Sequence, residues 1–211
     1  MTKRVAARWF FDVVSPFAYL HLRQFERLHP SLEIEFVPVL LAGLLRRWGN
    51  KGPAELASKR IHCYRYCAWT AASLGIPFRM PARHPFNPLP TQRLLVALDP
   101  CRAHVAEAFD FVYHQGRDPE LDWRGLSDAL GAADATALVG DPAIKQRLIA
   151  NTEQAANAGV FGVPTFIVRN ELFWGSDTIA WMNAFVEDPA IFERGEMNRA
   201  AQIEFGAHRR D

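Results

Sequence analysis

The first forty residues constrain the fold more than any other stretch of the chain. Residues Val5 to Val14 are rich in Val, Phe, Trp and Ala and read as a buried strand. Ser15-Pro16 follows, with proline in the favoured first helical position. Phe17, Tyr19, Leu20, Leu22, Phe25 and Leu28 then mark an amphipathic helix that stops before Pro30, and Ile34, Phe36 and Val37 make a second short strand. Strand, helix, strand is the parallel unit, because parallel neighbours need a crossover that a tight hairpin cannot supply.

From about Leu41 to Val160 the pattern changes. A Gly49-Asn50-Lys51-Gly52-Pro53 loop leads into a helical run through Leu74, and a proline-rich connector spans Pro77 to Pro90. The spacing then predicts helices over Thr91–Leu98, Arg102–His114, Trp123–Leu130 and Pro142–Ala158, punctuated by Gly, Pro and Asp. No strand-like alternation occurs in this block. Strands return at Thr165–Val168 and Glu171–Trp174 around an Arg169-Asn170 turn, and Ser176-Asp177 is placed to cap a helix through Ile179, Trp181, Met182 and Phe185. The tail after Met197 is polar and is expected to fray.

Composition removes several functions. The 211 residues carry a net charge of +1 with the basic residues scattered, which gives no electrostatic support to a nucleic-acid or membrane-surface partner. No run approaches the roughly 18 apolar residues of a membrane span, and Arg8 and Asp12 interrupt the apolar start that a signal peptide needs. The expected location is the cytoplasm. Cys63, Cys67 and Cys101 are odd in number, and with no secretion signal expected they argue against a disulfide framework. Cys63 and Cys67 share one helical face, but they lack the ligand spacing of a metal site and read as semi-buried structural thiols.

The order β-α-β, helical block, β-β-α is an α/β thioredoxin-like fold with an all-helical insertion. Residues 1–40 and 160–197 are the expected discontinuous thioredoxin-like domain, 41–159 the inserted helical domain and 198–211 a polar tail. Redox members of this fold carry Cys-x-x-Cys where the first helix begins, because the helix start lowers a thiol pKa. Here the positions read Ser15-Pro16-Phe17-Ala18, so thiol–disulfide exchange in its usual form is excluded.

Four segments carry a closer resemblance. Phe11-Asp12-Val13-Val14-Ser15-Pro16-Phe17-Ala18-Tyr19-Leu20 resembles the opening of the 2-hydroxychromene-2-carboxylate isomerases, which belong with kappa-class glutathione transferases to a DsbA-like branch of thioredoxin folds. Gly159 to Phe166 looks like that family's cis-proline segment, and Phe173-Trp174-Gly175-Ser176-Asp177 is similar to its glutathione-anchoring motif. Gly49-Asn50 with Lys59 matches its polar pair at the start of the inserted helices.

The resemblance implies glutathione as cofactor and a set of roles. Ser15 would donate its hydroxyl to the glutathione sulfur and favour thiolate; the plain alternative is that Ser15 only caps its helix. Val163, before Pro164, would pair through its backbone with the cysteinyl unit. Gly175, Ser176 and Asp177 would hold the γ-glutamyl end, with Thr178 standing where relatives often carry arginine. Lys59 and Asn50 would meet the glycine carboxylate. Phe17, Trp48 and Trp174 are candidates for an aromatic wall over the second substrate, as are Tyr64, Trp69 and Phe86. Arg46, Arg47 and Arg83 are candidates for a substrate carboxylate, and His84 for an acid or base.

The implied activity interconverts 2-hydroxychromene-2-carboxylate and trans-o-hydroxybenzylidenepyruvate by reversible thiolate addition, in a homodimer acting on a small aromatic substrate. The alternatives are a kappa-like glutathione transferase and a non-catalytic thioredoxin-fold binding protein.

Overall fold

The structure is a computed structural model that describes residues 4–204 and 206. Strand β1 (Val5–Phe11) leads into helix α1 (Pro16–Leu22), a 3-10 turn at Phe25–Arg27 and strand β2 (Leu32–Pro38). Helices α2 (Leu41–Arg47), α3 (Ala57–Ser73), α4 (Leu89–Ala97), α5 (Arg102–Phe109), α6 (Trp123–Ala129), α7 (Ala135–Gly140) and α8 (Pro142–Asn157) follow. Strands β3 (Thr165–Val168) and β4 (Glu171–Trp174) and helices α9 (Ile179–Glu187) and α10 (Gly195–Ala200) complete it. The sheet order is β2-β1-β3-β4, with β1 parallel to β2 and antiparallel to β3, and β3 antiparallel to β4.

Side chains of β1 alternate between two cores, as the strand period demands. Trp9 and Phe11 stack at 4.8 Å within the larger core, which takes in Leu94, Phe109 and Tyr113 from the helical block and Phe166 from β3. Phe10 points to the opposite face and packs with Val37, Leu44, Ala155, Val160 and Val163. Helices α2 and α8 therefore cover the face on which the Val163 segment lies. The β3–β4 turn is made by Arg169 and Asn170 with φ of 49° and 74°, the left-handed pair that suits a two-residue hairpin.

Several expectations are corrected. The first helix stops at Leu22 instead of running to Leu28. The Gln24 side chain donates to the Leu20 carbonyl at 3.0 Å, displacing its own backbone N–H onto His21 O at 2.9 Å, and this tightens the chain into the 3-10 turn. The helix expected at Arg102–His114 ends as α5, and its last turn, Asp110–His114, is a π turn. Helices α2 and α7 were not expected. Ser176 and Asp177 do not cap α9: they occupy a 3-10 turn, Ser176–Thr178, and Thr178 is the N-cap residue without a side-chain bond. The tail stays helical through Ala200, beyond the expected fraying point, while Phe205 and residues 207–211 lie outside the described residues. Among the described residues no helix is long and apolar enough to cross a membrane.

The end of β1 is held from the helical block. Gln92 on α4 is fully buried; its amide donates to Phe11 O at 2.9 Å and Val39 O at 2.8 Å, and its oxygen accepts from Val13 N–H at 3.3 Å. Replacing it by leucine keeps the volume and strips these partners, so Gln92→Leu is expected to lower stability by roughly 2–4 kcal/mol, read as a shift in the urea midpoint at unchanged slope. A loss under half a kcal/mol would show that this clamp is dispensable.

Candidate active site

Four residues, Asp12 to Ser15, turn the chain from β1 into α1. Asp12 is fully buried, and its two carboxylate oxygens accept from Val14 N–H at 3.0 Å and Leu41 N–H at 2.8 Å. One side chain thus ties the turn before Ser15 to the start of α2. Burial outweighs these two bonds and pushes the carboxyl up from 3.8 to about 7. The Ser15 N–H donates to the Asp12 carbonyl at 2.9 Å.

Ser15 is buried and caps α1: its Oγ accepts from Ala18 N–H at 3.3 Å. The same Oγ donates to Val163 O at 3.5 Å, the outer limit of a hydrogen bond. Helix cap and proximity to the proline segment therefore coincide in one residue. The Val163–Pro164 bond is cis. Pro164 O accepts from Gly175 N–H at 2.9 Å, which brings the end of β4 beside it. Gly175 has φ +91°, a backbone conformation that glycine adopts without the strain any other residue would meet. Thr178 Oγ1 donates back to Gly175 O at 2.8 Å, and the Ser176–Thr178 turn lies against α1. Ser15 thus meets Val163 at the start of α1, Pro164 is tied to Gly175, and the Ser176–Thr178 turn packs on the same helix.

Aromatic side chains rim this group. Trp48, at the C-terminal end of α2, is half exposed and donates through Nε1 to Val160 O at 2.8 Å. Trp174 is half exposed and meets Phe161 edge-on at 5.2 Å; a Cβ on Gly162 would sit 3.0 Å from its Nε1. Phe17 is partly buried and lies 6.4 Å from Tyr66 of α3, which in turn lies 6.1 Å from the exposed Trp69. Asn50 and Lys59 are exposed; Asn50 Oδ1 turns back to Lys51 N–H at 2.8 Å, and the hydrogen bonds of Ser15, Val163 and Gly175 described above do not reach either residue.

Other candidates lie elsewhere. Phe86 is core. Arg83 is paired with Asp118 at 2.8 Å and Glu120 at 3.7 Å, so its charge is already answered. Arg46 and Arg47 are exposed at the end of α2, with the Arg47 guanidinium 5.9 Å from the Trp48 ring. His84 contacts the protein through both ring nitrogens, Nε2 at 2.7 Å from Val14 O and Nδ1 at 2.5 Å from Tyr64 Oη. Cys67 is buried, and burial pushes its thiol up to about 12, which leaves it an inert packing group. Sequence reasoning missed Asp12, Gln92, Tyr113, Phe161 and Tyr66. Asp12 had a signal, an acid inside an otherwise apolar strand end, whereas the partners of Gln92 and Tyr113 are about eighty to a hundred residues away in sequence.

A four-stranded mixed sheet, a first helix capped at the site and a cis-proline beside that cap define a thioredoxin-like protein whose site carries a hydroxyl in place of a thiol. The chain belongs to the DSBA-like thioredoxin domain family, which it matches over residues 8–187. It is 29% identical over 199 residues to a 2-hydroxychromene-2-carboxylate isomerase of Sphingobium xenophagum, covering 89% of this chain and 100% of that one. It is 26% identical over 214 residues to glutathione S-transferase kappa 2 of Caenorhabditis elegans, covering 90% and 95%. A solved structure of a 2-hydroxychromene-2-carboxylate isomerase superposes with a TM-score of 0.78 at 23% identity, over 94% of this chain and 100% of that one. The relatives are enzymes, and the fold is theirs.

Asp12 gives the site a pH signature. Its folded-state pKa is raised, so between 3.8 and about 7 the folded chain holds a proton that the unfolded chain has lost, and stability drains away as pH rises through 7. Buried His21 slopes oppositely: burial lowers its pKa to about 3, so its contribution falls as pH drops below the unfolded value of 6.5. Comparing Asp12→Asn with the parent chain cancels the His21 slope. The difference in urea-unfolding free energy between them is expected to shift in favour of the variant from pH 5 to pH 8; a constant difference would contradict the assigned titration.

Proposed function

We propose that the protein is a glutathione-dependent isomerase interconverting 2-hydroxychromene-2-carboxylate and trans-o-hydroxybenzylidenepyruvate, with Ser15 as the hydroxyl that holds the cofactor sulfur as thiolate. The observation that carries this reading is the condition of the Ser15 hydroxyl. Its oxygen serves Ala18 N–H, but its proton faces Val163 O at a marginal 3.5 Å. A proton held that loosely can turn to an anionic sulfur at little cost, and a charge-assisted bond is about twice as strong as a neutral one. The similarity to named isomerases over nearly the whole chain supports the same reading.

Bound glutathione would supply a thiolate that adds reversibly to the conjugated double bond, so that the bond can rotate before elimination restores it and releases the thiol unchanged. The chain's own residues do the rest. Ser15 donates to the sulfur and keeps it deprotonated near neutral pH. The Val163 backbone, beside the Gly175 N–H bond to Pro164 O, offers main-chain groups to the cysteinyl unit. Ser176, Asp177 and Thr178 hold the γ-glutamyl end, and Asn50 and Lys59 hold the glycine carboxylate. Phe17, Trp48 and Trp174 stack on the aromatic substrate and exclude water. The reading includes a cytoplasmic homodimer.

Ser15→Ala tests it. The isomerisation rate with saturating glutathione is expected to fall by roughly 10²-fold, the usual cost of one preorganised donor. Loss of the cap costs only about 1 kcal/mol, so the variant should remain folded. Equal rates with and without glutathione would overturn the proposal.

A kappa-like glutathione transferase is the second reading, favoured by the comparable similarity to glutathione S-transferase kappa 2. The same residues would bind the tripeptide in both cases. Product analysis with a chlorodinitrobenzene-type electrophile separates them: a stable conjugate formed faster than the isomerisation would favour the transferase.

A further inference from the structure

We infer that His84, braced by Tyr64, is a positioning residue that locks the peptide plane immediately before Ser15 and so aims the Ser15 hydroxyl. The inference rests on the reading of Ser15 as the sulfur-holding group.

A peptide plane has two polar handles, its carbonyl and its N–H, and fixing both fixes its rotation. In the Val14–Ser15 plane the Ser15 N–H donates to Asp12 O at 2.9 Å. The Val14 carbonyl accepts twice, from Tyr113 Oη at 2.7 Å and from His84 Nε2 at 2.7 Å. Both carbonyl lone pairs are used, and Val14 is buried. With the plane held, the φ of Ser15 is set at −91°, and this angle directs the Cα–Cβ bond between Ala18 N–H and Val163 O.

The tautomer follows from the partners. A carbonyl only accepts, so His84 Nε2 carries the hydrogen, and Nδ1 is left as a lone pair that accepts from Tyr64 Oη at 2.5 Å. Burial lowers the His84 pKa despite the Val14 bond, which keeps the ring neutral. With both nitrogens occupied, the ring has no free position from which to exchange a proton with a ligand. Its place is explained by the carbonyl it holds. Tyr64 comes from α3, His84 from the α3–α4 connector and Tyr113 from the π turn, so the helical block reaches across to set the geometry of a residue on the other half of the chain.

The test uses three variants and one spectroscopic measurement on the full chain. His84→Phe keeps a ring but loses the donor. It is expected to lower kcat for isomerisation by roughly 10- to 100-fold, the scale of a displacement of about 1 Å, with little change in KM for the aromatic substrate. His84→Gln, whose amide can still donate to Val14 O, is expected to recover most of that loss. Nitrogen NMR of the glutathione-free protein is expected to show His84 as the Nε2–H tautomer. An unchanged kcat in His84→Phe, a His84→Gln variant as impaired as His84→Phe, or an Nδ1–H tautomer would overturn the positioning role. If His84→Phe does not fold, the glutamine variant and the tautomer still decide. Ser15→Ala run in parallel separates the two ideas: a full rate there removes the hydroxyl's role itself, whereas a damaged Ser15→Ala beside an intact His84→Phe removes only the positioning.

Discussion

The turn from Asp12 to Ser15 depends on a buried carboxylate that holds two backbone N–H groups, and the rest of the site depends on that turn. Asp12 costs solvation energy, which the upward push on its pKa records. In return it fastens the end of the central strand to the start of α2, whose first N–H groups have few other partners. Gln92, Tyr113 and His84 complete the hold on neighbouring carbonyls. The bonds share partners, since the Val14 carbonyl accepts from both Tyr113 and His84, and the network therefore behaves as a unit.

Much of this arrangement was legible in the sequence. The bounds of β3 and β4 follow from their apolar runs and the intervening Arg169-Asn170 turn, and they match the structure residue for residue. Ser15, Val163 and Gly175 were picked out by the resemblance of their segments to the isomerase family, whereas local rules alone marked Ser15 only as a helix cap. What escaped was built from distant parts. Helix α2 has no capping side chain of its own at Leu40; its first N–H groups are taken by Asp12 and by Thr152 of α8, at 2.8 and 3.1 Å. No local rule finds a helix whose start is capped by residues remote in sequence. The early end of α1 and the misplaced cap of α9 have the same character, since each was decided by one side chain or one turn competing with a regular pattern.

The exposed surfaces divide by chemistry. Trp48, Phe161 and Trp174 border the cis-proline segment, and Phe17 continues through Tyr66 to Trp69 along α3. A separate cavity of about 540 Å³ lies along β2, lined by Phe36, Asp99, Cys101, Arg147 and Asn151; its Arg147 is already paired with Asp99, and it is not part of the site at Ser15. Three segments from opposite ends of the chain meet at Ser15, and the helical block supplies the braces beneath them through Gln92, Tyr113 and His84.

The most direct test is a crystal structure of the protein with glutathione bound. The cysteinyl sulfur is expected within hydrogen-bond reach of Ser15 Oγ, with the hydroxyl proton turned from the Val163 carbonyl toward it. A tripeptide bound away from the start of α1, with Ser15 Oγ still engaged by Ala18 and Val163 alone, would contradict it.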